Sequence, residues 1–107
     1  MIATVFQGVF DTGYDIEFRS RLPRFGTTHQ ANGFIDPATD RIVIRRDLTL
    51  KERAITLLHE IVHEVYPEWT EEDVEHCAQY TYENLSEEDR GIVNFLATDP
   101  AETRVPA

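Results

Sequence analysis

One cysteine, Cys77, stands in the whole 107-residue chain. No intramolecular disulfide can form, so the fold must rest on its core, and a reducing cytoplasm is the expected setting. Long apolar runs are also missing, since none reaches the roughly 18–20 residues that a membrane span needs. The opening stretch MIATVFQGVFDTGYD has no basic segment ahead of a long apolar one, which speaks against a signal peptide. Positive charge is scarce: 10 Lys and Arg face 20 Asp and Glu, for a formal net charge of −10. Such a surface repels phosphate, so direct binding to nucleic acid or to an anionic membrane is not expected. The acidity serves solubility and helix N-termini first. A protein that imitates DNA with its carboxylates is the minority alternative.

What is present is an ordinary globular composition, 41 % hydrophobic and 28 % charged, enough for one domain and too short for two. That domain is expected over residues 1–96, with 97–107 a frayed tail. Residues 2–46 read as strands: Ile, Val and Phe crowd Ile2 to Phe10, and YDIEF alternates with Tyr14, Ile16 and Phe18 on one face. RSRLPRFGTTHQANG follows as a polar connection holding His29. GFIDPATDRIVIRR then reads as a sharp return at Asp36-Pro37 into a strand Arg41–Arg45, in which Ile42 and Ile44 face one way and Val43 the other.

From Thr49 the period lengthens. Thr49-Leu50-Lys51-Glu52 fits a capping box, and Ile55, Leu58, Val62 and Val65 form one helical stripe that Pro67 ends. Thr70 caps a second helix with Glu71, Glu72 and Asp73 in its first turn and Val74, Ala78, Thr81 and Leu85 inward. Trp69 fits a hydrophobic staple onto Val74. Ser86-Glu87-Glu88-Asp89 starts a third short helix that runs through Ile92, Phe95 and Leu96. Strands first and helices after predict an α+β domain, with a small, mostly antiparallel sheet of about three strands packed on two to three helices.

The second of these segments carries chemistry. LLHEIVHEVYPEW contains H-E-x-x-H at His59, Glu60 and His63. Histidines four apart on a helix project from one face, and both rings can meet one tetrahedral ion at about 2.0–2.1 Å per Zn–N bond. Glu60, about 100° further round, flanks that ion without binding it. There it can take a proton from activated water and later deliver one to a leaving amine. Chance produces this pattern in on the order of one in several hundred chains of this length. The apolar neighbours Leu57, Leu58, Ile61 and Val62 set it against a core.

Two histidines hold a catalytic zinc too weakly, so a third ligand is needed. Glu75 borders the inward stripe of the second helix. His76 is the better ligand by chemistry but points further outward, Glu71 also borders the stripe, and Glu72 shares the outer face with His76. Glu75 ranks first and His76 second. Tyr66, on the His63 face, is a candidate donor to a tetrahedral oxyanion, and Cys77 reads as a small buried residue.

With TLLHEIVHEVYPEWTEEDVEHCAQYTYENL in view, the chain resembles minimal zincin-type proteins related to the ImmA/IrrE-like metallopeptidases, many of them from phages and bacteria. The resemblance covers roughly residues 33–85. It implies a minimal zincin-like fold, zinc on His59 and His63, Glu60 as general base, and a glutamate of the following helix, Glu75, as third ligand. Longer members' sensor domains are absent, and the histidine that SprT-like proteins carry soon after a proline is replaced by Trp69. The resemblance implies hydrolysis of a peptide or protein substrate laid along Arg41–Arg45 as a sheet edge. The alternative is a zinc-binding scaffold without catalysis, meeting a host or regulatory protein through its acidic helices.

Overall fold

The structure, a computed structural model, describes residues 1–22 and 32–103; His29 lies outside the described residues. In chain order it comprises α1 (Ile2–Asp11), β1 (Asp15–Arg19), β2 (Gly33–Asp36), β3 (Arg41–Arg45), α2 (Leu50–Val65), α3 (Glu71–Asn84), α4 (Glu87–Leu96) and a 3-10 turn (Pro100–Thr103). This is a small α+β fold. No helix among the described residues is long and apolar enough to cross a membrane.

The first element is a correction, because the expected N-terminal strand is a helix. Ile2, Val5, Phe6 and Val9 recur at helical spacing, and that period prevails over the strand preference of their side chains. Gly8 permits the close packing of α1 on α2. A Cβ there would stand 2.9 Å from Ile61 Cγ2 and 3.0 Å from Val65 Cγ2, tighter than real packing allows.

The sheet has the order β1-β3-β2 and is mixed rather than mostly antiparallel. β2 and β3 form the expected antiparallel return, with Asp36 Oδ1 accepting from the Ala38 N–H at 3.1 Å in the turn. β1 runs parallel to β3, with Ile16 opposite Ile42 and Phe18 opposite Ile44. The Arg41–Arg45 strand is therefore central, not an edge, and a substrate cannot lie along it. Ile42, Val43 and Ile44 are all buried, so both faces of this strand are covered, with Ile42 and Ile44 in the main core.

α2 is the axis of the fold. Its capping box forms as expected: Thr49 Oγ1 accepts from the Glu52 N–H, and Glu52 Oε1 accepts from the Thr49 N–H, both at 3.2 Å. Ala54, Leu57, Leu58, Ile61 and Val62 are buried along it, a wider face than one stripe, because α1, α3, α4 and the sheet all pack on this helix. Thr70 and Ser86 cap α3 and α4 through the N–H groups of Asp73 and Asp89. Trp69 stacks on Tyr66, with ring centroids 4.1 Å apart and planes 7° from parallel.

At the C-terminal end α4 follows the Ser86 cap as expected, with Val93 buried and Phe95 77 % exposed. Residues 97–99 are docked rather than frayed. The buried Arg53 guanidinium donates to Ala97 O at 2.9 Å, Leu48 O at 2.7 Å and Arg46 O at 3.2 Å. The carboxylate of Asp99, also buried, accepts from Arg46 Nε at 2.6 Å. One side chain thus joins three backbone carbonyls, of which that of the buried Ala97 most needs a donor.

Candidate metal centre

α2 carries His59, Glu60 and His63, and α3 packs beside it with its Glu71, Glu75 and Gln79 every four residues on the facing side. His59 Nε2 and His63 Nε2 lie 3.1 Å apart. The Glu71 carboxylate meets both, with Oε2 3.2 Å from His59 Nε2 and Oε1 2.7 Å from His63 Nε2. Tetrahedral ligands bound at about 2.0–2.1 Å stand about 3.3 Å from one another, close to these separations. His59, Glu60 and His63 form a group that could hold a metal ion, their ligand atoms all within 4.8 Å of one another.

The remaining ring nitrogen fixes the orientation. His59 Nδ1 lies 2.6 Å from Glu75 Oε2, and Glu75 Oε1 accepts from Gln79 Nε2 at 2.9 Å. Two imidazole nitrogens and a carboxylate converge at hydrogen-bond distance, with His59 held from its other ring nitrogen by Glu75, a donor set of the type that holds zinc.

The other candidates separate clearly. His76 is exposed and lines a different hollow with Trp69, Cys77 and Tyr80. Glu72 is exposed on the outer side of α3. Tyr66 is occupied with Trp69 and does not line the site. Cys77 is a free, buried thiol. Gln79 is a contact that the sequence did not single out, and the four-residue recurrence at 71, 75 and 79 is the signal that groups it with Glu71 and Glu75.

Glu60 is buried, and burial pushes its carboxyl up to about 7. His59 pulls it back down, while Glu71 and Glu64 raise it further. A carboxyl poised near neutrality is suited to accepting and returning a proton. The site opens into a cavity of about 570 Å³ whose walls include Ile55, Thr56, Glu52 and the start of β2 at Asn32 and Gly33. Gly33 allows β2 to press against α2. A Cβ there would fall 2.7 Å from Thr56 Cγ2 and 2.8 Å from Val43 O. Among the described residues, no Lys or Arg lines this cavity. Compared with known proteins, the chain matches no family model, no curated protein and no solved structure.

Proposed function

We propose that the chain is a zinc-dependent metallopeptidase-type hydrolase acting on a peptide or protein. The observation that carries this reading is the convergence of His59 Nε2, His63 Nε2 and the Glu71 carboxylate, with the buried Glu60 beside them. His59, His63 and Glu71 would hold the ion, with Glu71 taking the role that sequence reasoning assigned first to Glu75. Glu75 instead orients His59 through Nδ1, with Gln79 holding Glu75 in turn. Zinc in such a site supplies Lewis acidity, polarising a carbonyl and acidifying water. Glu60 takes the proton from the attacking water on its carboxylate and delivers it to the leaving amine nitrogen. An extended substrate would lie along β2, an outer strand of the described sheet whose Gly33 lines the cavity, rather than along β3. The single free thiol suits a reducing cytoplasm.

The test compares two variants. Glu60→Gln keeps its zinc and loses hydrolysis of a denatured protein substrate, while His59→Ala loses both. Hydrolysis that persists in Glu60→Gln refutes the assigned role.

A second reading, a zinc-binding scaffold without catalysis, draws on the exposed acidic residues Glu72, Asp73, Glu87 and Glu88 at the starts of α3 and α4. A partner with a basic face would dock there, and the chain would imitate DNA. Tight, zinc-independent complex formation without cleavage separates this reading from the first.

A further inference from the structure

β1 is an edge strand with its outer side open among the described residues. Its hydrogen bonds to β3 are set by parity. The Asp15 N–H donates to Asp40 O at 2.9 Å, and Arg19 O accepts from the Arg46 N–H at 2.8 Å. Asp15, Glu17 and Arg19 therefore address β3, and the N–H and C=O of Ile16 and Phe18 point away from it. Among the described residues, only Phe18 O of those four groups meets a side chain, Arg46 Nη2, at the outer limit of 3.4 Å. The edge carries no proline or lysine, the usual devices that keep strands apart. Beside it runs an apolar groove formed by Tyr14, Ile16 and Phe18 with Phe95 and Leu96 of α4.

We propose that this edge pairs with β1 of a second copy of the chain, antiparallel about Glu17, to give a two-fold dimer with a continuous six-stranded sheet. The register follows from the sequence DIEFR, which complements itself when reversed. Ile16 meets Phe18 of the second copy, and these are the two residues whose backbone groups point outward, so both form hydrogen-bonded pairs and all four outward groups are used. Asp15 meets Arg19 of the second copy, twice by symmetry. Only Glu17 meets its own image. Each Glu17 is already neutralised within its own chain by Arg19 at 3.0 Å and Arg41 at 3.2 Å.

Charge favours this place over the rest of the surface. The chain carries a net −10, which drives copies apart, yet Asp15 and Glu17 are balanced here by Arg19 and Arg41. On the opposite face of the strand, Ile16 and Phe18 continue into the exposed Phe95, and pairing covers that ring. An isologous contact of this kind closes on itself and does not grow into fibres.

Sedimentation velocity with the full chain tests the proposal, using charge reversals that distinguish this register from any other. Wild type sediments as a concentration-dependent dimer. Arg19→Asp and Asp15→Arg each set like charges opposite one another twice and weaken the dimer by roughly tenfold or more. Mixing the two variants restores the dimer as a heterodimer, since every Asp then meets an Arg. Phe95→Ser, at a position exposed in the single chain, also weakens the dimer while leaving the circular dichroism spectrum unchanged. A wild type that stays monomeric up to its solubility limit overturns the proposal, and so does a mixture of the two variants that fails to associate.

Discussion

Glu60 should make the metal-free protein less stable as the pH rises. In the unfolded chain its carboxyl loses its proton near 4.5; in the fold, burial holds that proton until about 7. Between those values the folded chain binds more protons than the unfolded one, so stability falls as pH rises through the window and levels off above it. At 1.36 kcal/mol per tenfold in the proton equilibrium, the full effect is about 3 kcal/mol. Glu17, Asp47 and Glu52 behave oppositely, because bonds to Arg19, Arg45 and Thr49 respectively lower their carboxyls. Their contribution is present above their unfolded values and disappears in acid. Comparing wild type with Glu60→Gln cancels these shared terms. Urea unfolding followed by circular dichroism, in chelator at pH 4.5 and pH 8, should show the variant gaining about 3 kcal/mol on wild type between the two conditions. A cation on the histidines favours the ionised carboxylate, so added zinc should flatten the wild-type slope. A variant-to-wild-type difference that changes by less than about 0.5 kcal/mol between the two pH values would refute the reasoning, since an uncoupled substitution falls within that range.

Three further outcomes follow from named contacts. Glu75→Ala should weaken zinc affinity by about 10–100-fold without abolishing binding, because it releases His59 rather than removing a ligand; competition with a chromogenic chelator measures it, and Glu71→Ala should cost more. Gly8→Ala should destabilise by about 1–3 kcal/mol in urea unfolding, since α1 must move off Ile61 and Val65. Arg53→Met should cost about 3 kcal/mol or more by the same measurement, leaving the carbonyls of Arg46, Leu48 and Ala97 without this donor.

Local signals carried far where cap, period and breaker agreed. Thr49, the α2 stripe and Pro67 delimit the helix that holds H-E-x-x-H, and Asp36-Pro37 marks the return between β2 and β3. α1 was misread because Ile2, Val5, Phe6 and Val9 suit a strand by type and a helix by spacing, and spacing was given too little weight. The parallel pairing of β1 with β3 depends on a crossover between distant segments, which no local pattern encodes. The same limit applies to Glu71 and Glu75: both border the inward stripe of α3, and only the packing of α3 on α2 decides which carboxylate meets the Nε2 atoms. The docking of Ala97 and Asp99 by Arg53 and Arg46 is likewise a long-range contact that no local pattern marks, which is why the chain past α4 reads as a frayed tail.

The central claim is a metal centre on α2 completed by α3, and calorimetric titration of chelator-treated protein with zinc chloride tests it most directly. Wild type and Glu60→Gln should each bind one zinc per chain, and His63→Ala should lose that binding. A wild type that takes up no zinc, or a His63→Ala protein that binds it as tightly as wild type, would contradict the account.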